Sequence, residues 1–445
     1  MTDESFVPGP RRRVLILVEN LPVPLDRRVW MEATTLVAHG HEVSVICPTG
    51  RGWTEPFELR EGVEIHRYPE PPEAHSGAGA YAREYVHALR HMLRRTRQVW
   101  RTRGFDVIHG CNPPDLLFLI ALLYRPRGVR FVFDQHDACP ELFEAKFHRR
   151  GPLRRLMRLC ERLSFAAASV SIAPNESFRR IALTRGRMAA EDVFVVRSGP
   201  PAQSFAPGPP DAALRKGART VLGYVGVIGQ QEGMDLLVSA VDHLVHEMGH
   251  ADLHALIAGF GPHLAEVRRD VAARGLERHF TFTGPLYGAA LLAALNSCDI
   301  GVSPDPKTAM TDISTMNKVL EYMALAKPVV QFDLAEGRAS AGEGALYARP
   351  NDPRDFARKI ASLIEDPARA RDIGQIGRAR LVERLCWAHS VPPLLAAYER
   401  VFAKGQPRRP SRSATTQPVR NPPRCAPQAS SPLVTKKKTT LKATR

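Results

Sequence analysis

Lys318 and Glu321 stand three residues apart in DISTMNKVLEYMALAKPVV, residues 312–330, a spacing that puts an ammonium and a carboxylate on one face of a helix. Near a helix start such a pair can hold one nucleotide. The cation and the helix terminus meet phosphate, and the carboxylate accepts from sugar hydroxyls. A solvated Lys–Glu pair on a surface helix has the same spacing, so spacing alone leaves both readings open. Asp312, Ser314 and Thr315 can each cap the start, and Val319, Leu320, Met323 and Leu325 supply apolar positions. Lys327-Pro328 then stops the helix before the buried run Val329-Val330-Gln331-Phe332.

The elements that must position this pair read as alternating strands and helices. Arg13–Val18 is an apolar run of strand length, followed by a helical pattern over Arg28–His39 and a second run, Glu42–Cys47. Buried character on both faces argues a parallel sheet covered by helices. Further strands are predicted at Gly62–His66, Asp106–His109, Arg130–Asp134, Ala168–Ile172 and Val193–Val196, with a long helix over Tyr81–Arg103. A Pro-rich stretch from Ser198 to Pro210 interrupts the pattern, which restarts at Thr220–Val225 and continues through Leu253–Ala258, His279–Thr283, Ile300–Ser303 and Pro328–Phe332. The expectation is an α/β chain of two doubly wound, Rossmann-like domains, 11–199 and 216–390, joined by a linker over 200–215. A helix over 391–403 could pack back on the first domain, and a basic tail occupies 404–445. Ligands of two such sheets belong in the cleft outside their carboxyl ends.

The net charge of +16 suggests nucleic acid until it is divided along the chain: residues 404–445 hold eleven Lys or Arg and no acid, leaving +5 for the rest. That tail is rich in Pro, Ser and Thr, has little to bury, and is expected to be disordered and able to touch anionic lipid. The folded part shows neither zinc-finger spacing nor an aromatic–basic RNA motif, so no specific nucleic-acid partner is expected. The longest apolar run, Leu116–Tyr124, is too short to span a bilayer. The start MTDESFVPGPRRR lacks the apolar core of a secretory signal, and the seven cysteines show no paired spacing. Together these predict a cytoplasmic protein. The helical stretch Arg149–Leu163 sets Leu153, Leu156, Met157, Cys160 and Leu163 among arginines. It reads either as a core helix with a solvated basic face or as an amphipathic helix lying on the inner, anionic face of a membrane.

From about Arg13 to Phe402 these residues resemble the retaining, nucleotide-sugar-dependent glycosyltransferases of family 4 (group 1), which have the GT-B fold. STMNKVLEYMALAKPVV carries most of the resemblance; Gly223-Tyr224-Val225-Gly226, Ala258-Gly259-Phe260-Gly261-Pro262, Phe282-Thr283-Gly284, Ser340-Ala341-Gly342, Asp106-Val107-Ile108-His109 and Asp134-Gln135-His136-Asp137 support it by their order. The resemblance implies a second domain that binds a nucleotide-sugar donor and a first that binds a carbohydrate or lipid-linked acceptor, as in cell-surface polysaccharide, glycolipid or other glycoconjugate synthesis. It implies that Glu321 accepts from ribose hydroxyls, with Lys318 beside it, and that Gly226 and Gly229 let backbone approach the pyrophosphate. No cofactor is expected, and no Asp-x-Asp follows a strand where a metal-dependent transferase would use one, so no metal is expected either.

The chain also departs from the family pattern. Ile313 stands where a second glutamate upstream of Glu321 is usual, with Asp312 beside it as a substitute carboxylate or a simple helix cap. Val227 and Glu232 replace the usual Arg and Lys of the donor-phosphate loop, leaving Arg197, Lys307 and Lys318 as candidates to balance the leaving diphosphate. In the first domain, Glu19, Arg27 and Arg28 lie in a loop and helix start that could meet an acceptor or a phosphate. His136 and then His109 are the preferred candidates to act on the acceptor side, because each is expected to follow a buried strand toward the cleft. The rivals are a nucleotide-sugar epimerase of the same fold and a catalytically lapsed sugar-nucleotide-binding protein. A dehydrogenase is disfavoured, since neither sheet opens with Gly-x-Gly-x-x-Gly.

Overall fold

The computed structural model of the chain describes residues 12–70, 78–147 and 151–404. Arg149, Arg150 and the basic tail from residue 405 onward lie outside the described residues. The first sheet comprises β1 (Arg13–Val18), β2 (Glu42–Pro48), β3 (Phe57–Arg60), β4 (Val63–Tyr68), β5 (Val107–Cys111), β6 (Arg130–Asp134), β7 (Val170–Ala173) and β8 (Val193–Val195), in the order β3-β4-β2-β1-β5-β6-β7-β8. The second comprises β9 (Thr220–Val227), β10 (Leu253–Phe260), β11 (Phe280–Gly284), β12 (Ile300–Ser303), β13 (Val329–Phe332) and β14 (Ala345–Ala348), in the order β11-β10-β9-β12-β13-β14. All pairings are parallel except β3 with β4. These are the two Rossmann-like sheets the alternation predicts.

The continuous apolar runs follow from burial on both faces. Along β1, Val14, Ile16 and Val18 join one core, while Leu15 and Leu17 join the core on the opposite face. β3 and β14 escape the sequence reading for different reasons. β3 is a four-residue antiparallel edge with Phe57 and Leu59 exposed, and β14 is a four-residue run too short to show periodicity.

The chain crosses between lobes twice. Val196 packs in the first lobe and Phe205 against the second; on the way back Leu381, Leu385 and Cys386 belong to the second lobe and Trp387 to the first. The helix Trp387–Ala403 then lies on the first sheet through Leu394, Ala397, Tyr398 and Val401, and Trp387 Nε1 donates to Thr35 Oγ1 at 2.9 Å. The crossings touch at Gly199, where a Cβ would stand 1.8 Å from the Leu385 carbonyl oxygen. No larger residue fits there without parting the two segments.

The helix signalled over 312–330 is shorter than its caps suggest. It runs Asn317–Ala324 with Met316 at the cap position and no side-chain cap, and Thr311–Ile313 forms a separate 3-10 turn. The upstream residues are drawn into contact between the lobes instead: Asn175 Nδ2, from the first lobe, donates to Ile313 O and to Thr315 Oγ1, each at 2.9 Å. Tertiary bonds here override local capping. Ser177 also donates to Glu336 across the cleft at 2.7 Å, and Arg51 lies 4.0 Å from the Phe260 ring centre. Among the described residues no helix is long and apolar enough to cross a membrane.

Candidate active site

The short helix Asn317–Ala324 carries Lys318 and Glu321, both buried, and sends them to different partners. Lys318 Nζ donates to both oxygens of Asp305, at 2.9 and 3.1 Å, and lies 3.5 Å from Glu232 Oε2. It also sits 4.8 Å from the centre of the Tyr224 ring. Burial opposes the ammonium charge, but Asp305, Tyr224 and Glu232 outweigh it and hold Lys318 well above its ordinary value. Burial pushes Glu232 up to about 7 despite the pull of Lys318. Gly226 lies over this cluster with φ 150°, in the region that favours glycine, and a Cβ would meet the Tyr224 hydroxyl at 3.3 Å and Lys318 Cε at 3.6 Å. Gly229 has an ordinary φ of -102°, and the atoms nearest to a Cβ there belong to the flexible Gln231 side chain.

Glu321 faces the first lobe. Its Oε1 is bonded by Arg27 Nη2, while its Oε2 is buried with no hydrogen-bond partner among the described residues. Arg27 opens the helix Arg27–Ala38, which Asp26 caps by accepting from Val29 N at 3.1 Å. Consecutive helical residues point about 100° apart, so Arg27 reaches the cleft, half exposed, and Arg28 turns inward.

Arg28 anchors a closed network. Its Nη2 donates to Asp134 Oδ1 at 2.8 Å and lies 3.2 Å from Glu32; its Nε donates to Asp134 Oδ2 at 3.2 Å; its Nη1 donates to Val196 O at 2.7 Å and to Ser198 Oγ at 3.0 Å. His136 Nε2 lies 2.5 Å from Asp134 Oδ2. Burial disfavours the imidazolium, but the Asp134 carboxylate and its hydrogen bond prevail and raise His136 above its ordinary value. Asn112, from the first-sheet loop, fixes the turn by accepting from the backbone N–H of His136 at 2.6 Å and of Asp137 at 3.1 Å. His109 lies within β5 and is fully buried, away from the cleft surface; its Nδ1 is 2.8 Å from the Tyr398 hydroxyl of the returning helix. Glu32, Cys111, Asp134 and His136 bring ligand atoms within 4.8 Å of one another, but the Arg28 guanidinium already takes the cation's place between Asp134 and Glu32. Glu19, just beyond β1, is buried, and burial together with nearby Glu84 pushes its carboxyl up to about 8.

Residues 25–199 match the glycosyl transferase 4-like domain, and residues 219–366 match glycosyl transferases group 1. The chain belongs to the group 1 glycosyltransferases. It is 27% identical over 313 residues to the alpha-maltose-1-phosphate synthase of Mycolicibacterium smegmatis, covering 64% of this chain and 76% of that one. Its fold is that of GT-B structures. Sucrose-phosphate synthase from Thermosynechococcus elongatus superposes with a TM-score of 0.70 at 17% identity, covering 88% of this chain and 100% of that one. Anabaena HepE, solved in complex with UDP-glucose, superposes at 0.64 and 15% identity over 87% and 100%.

The remaining sequence candidates of this glycosyltransferase fall into separate places. Lys307 and Asp312 pair with each other, Nζ to Oδ1 at 3.2 Å, and Asp312 also accepts from Ala335 N at 2.8 Å. Asp312 thus caps the helix Ala335–Ala341 rather than the one that follows it. Arg197 is half-buried, burial lowers it from its ordinary value, and its Nη1 is a buried donor without a partner among the described residues. Ile313 packs against an apolar patch of the first lobe formed by Ala138, Ala173, Phe178 and Ile181. Asp305, Glu32 and Asn112 were missed in the sequence. Asp305, in the SPDPK loop after β12, carried the only local signal, a carboxylate directly beyond a buried strand.

Proposed function

We propose that this glycosyltransferase moves a hexosyl group from a nucleotide sugar to a hydroxyl of a carbohydrate or lipid-linked acceptor, with retention of anomeric configuration and without a metal. The observation that carries the reading is the Glu321 carboxylate, buried where the lobes meet, with one oxygen on Arg27 and the other unpartnered. A ribose can donate two hydroxyls to such a group. Arg27, released from Glu321 by that exchange, then stands beside the donor, and with the unpartnered Arg197 Nη1 it can balance the leaving diphosphate. Lys318 acts through the Asp305–Glu232 cluster beneath Gly226 and orders the donor loop. On the acceptor side, His136, whose imidazolium form the Asp134 carboxylate favours, and a protonated Glu19 are the groups that can donate to acceptor or donor oxygens. No carboxylate stands at position 313 as a nucleophile, so the leaving diphosphate itself takes the acceptor proton in the closed cleft. The solved complex of HepE with UDP-glucose supports the donor class.

The test is thermal stabilisation by UDP-, GDP- and ADP-sugars, with wild type and Glu321→Ala side by side. A donor present at about a hundred times its Kd stabilises the native state by about 2.7 kcal/mol. The expected result is a clear rise in Tm with one nucleotide class, lost in Glu321→Ala, followed by an acceptor product of unchanged anomeric configuration by proton NMR. Equal stabilisation of the variant would remove Glu321 from the donor site. A second reading, donor binding without transfer, is favoured by Ile313 and its apolar seat across the cleft. It predicts stabilisation with no product from any acceptor, whereas an epimerase would convert the donor with no acceptor present.

A further inference from the structure

The helix Pro152–Ala167 is inside out by ordinary standards. Glu161 and Ser164 are buried, while Leu156, Leu159 and Leu163 are 41–52% exposed. Phe165 anchors the inward face, meeting the Phe133 ring edge-on at 5.0 Å, and hydrogen bonds fix the rest of the orientation. Glu161 Oε1 accepts from Arg185 Nη2 at 2.6 Å and from Gln135 Nε2 at 3.3 Å, and Ser164 Oγ donates to Asp115 O at 3.1 Å. Three leucines at i, i+3 and i+7 therefore form a stripe directed away from the core. The adjoining helix Phe118–Tyr124 adds Leu119, Leu122 and Leu123, 40–49% exposed, while its Phe118, Ile120 and Ala121 fill the core. Exposed leucines gathered on two touching helices mark an interaction surface.

Charge identifies the partner. Arg155 and Arg162 are exposed beside the leucine stripe; at the end of the neighbouring helix Arg127 lies 5.8 Å from the Tyr124 ring centre, and exposed Arg97 and Arg101 act electrostatically on the same Tyr124. Among the described residues Arg97, Arg101, Arg155 and Arg162 form no ion pair. We propose that this helical face of the first lobe docks on an anionic lipid bilayer, the leucines entering the headgroup–acyl boundary and the arginines meeting lipid phosphates. The basic tail carries the same sign as the rim and is repelled by it, and a second copy would bring two arginine rims together. A flat anionic surface meets both the apolar and the cationic groups, and it does not depend on the donor assignment of the cleft.

Vesicle co-sedimentation of the full chain tests this, with phosphatidylcholine alone and with about 30 mol% phosphatidylglycerol. The expected result is binding to the anionic vesicles only, weakened by salt. Binding should fall about tenfold or more in the triple variant Leu156→Glu, Leu159→Glu, Leu163→Glu, and several-fold in Arg155→Gln with Arg162→Gln. The arginine variants leave the buried bonds of the helix intact and stand as the check should the triple variant unfold. No binding by wild type overturns the proposal. So does full binding by both variants combined with its loss on truncation after Lys404, which would assign the membrane to the tail. A concentration-dependent dimer in wild type that the leucine substitutions dissociate, with vesicle binding unchanged, overturns it in favour of self-association.

Discussion

Arg28 in the first lobe and Lys318 in the second are both buried cations held between two carboxylates, Asp134 with Glu32 and Asp305 with Glu232. They differ in where their remaining bonds go. The fork of Arg28 is used on every side and reaches the carbonyl of Val196 and the hydroxyl of Ser198, in the segment that crosses between lobes. Lys318 is a point charge whose bonds end on Asp305 and Glu232, under Gly226 and beside the Tyr224 ring, within the proposed donor site. A planar guanidinium suits a permanent frame, and a compact ammonium suits a place where bonds must be redistributed. The comparison makes the first cluster architectural and the second responsive.

The largest effect expected is therefore at Arg28. Arg28→Ala leaves Asp134 and Glu32 buried without a cation and should cost about 3–5 kcal/mol. Arg28→Lys restores the charge but not the bonds to Val196 and Ser198, so most of the loss should persist. Denaturant unfolding of the two variants measures this, and full recovery by lysine would erase the distinction between the clusters. Lys318→Met should cost less, on the order of 2 kcal/mol, because among the described residues Lys318 bonds only Asp305 and Glu232, whereas Arg28 also holds Val196 and Ser198 of the crossing segment. That variant should lose donor-induced stabilisation while remaining folded. Retention of donor binding in a folded Lys318→Met would show that the second cluster is as structural as the first.

The sheets and the cleft were legible because parallel strands buried on both faces leave continuous apolar runs, as in Arg13–Val18 and Thr220–Val225. The position of Lys318 and Glu321 on one short helix was legible for the same local reason, the i, i+3 spacing. Their partners were not. Asp305 and Arg27 reach that helix through chain separations that no periodicity encodes. Asp312 illustrates the limit well: its type and place mark it as a helix cap, and it is one, but of a helix that begins more than twenty residues later at Ala335. Likewise the sequence sets Leu153, Leu156, Met157, Cys160 and Leu163 on one stripe, but Leu159 belongs to the exposed face and the inward face is chosen by Phe165 in the core with Glu161 and Ser164, through bonds to Arg185 and the Asp115 carbonyl.

A pH series sharpens the comparison with a smaller effect. Glu232 has a native value of about 7 against an ordinary 4.5. Between those values the native state holds a proton that the unfolded chain has released, so its contribution to stability is present below about 4.5 and is lost as pH rises through about 7. Glu232→Gln removes this dependence. Its Tm advantage over wild type should be slight near pH 5 and grow toward pH 8, and a difference that stays constant with pH would mean Glu232 does not titrate in this window. Glu32, also pushed up to about 7 by burial, predicts the same sign for Glu32→Gln. There the gain should be offset by the loss of an Arg28 partner.

The smallest effect concerns Ile313, which joins the two regions. Its side chain is only partly buried against Ala138, Ala173, Phe178 and Ile181, so Ile313→Ala should cost about 1 kcal/mol, below the range for fully buried truncations. The loss should appear between the lobes rather than within either. Amide hydrogen exchange should rise around Asn175 and Thr315, whose bond bridges the cleft beside Ile313, and stay unchanged in the two sheets. Because Ile313 offers no group to the reacting sugar, its truncation should act on donor closure, raising KM more than it lowers kcat. A large fall in kcat at constant KM would place position 313 in direct contact with the transferred group, despite its apolar side chain.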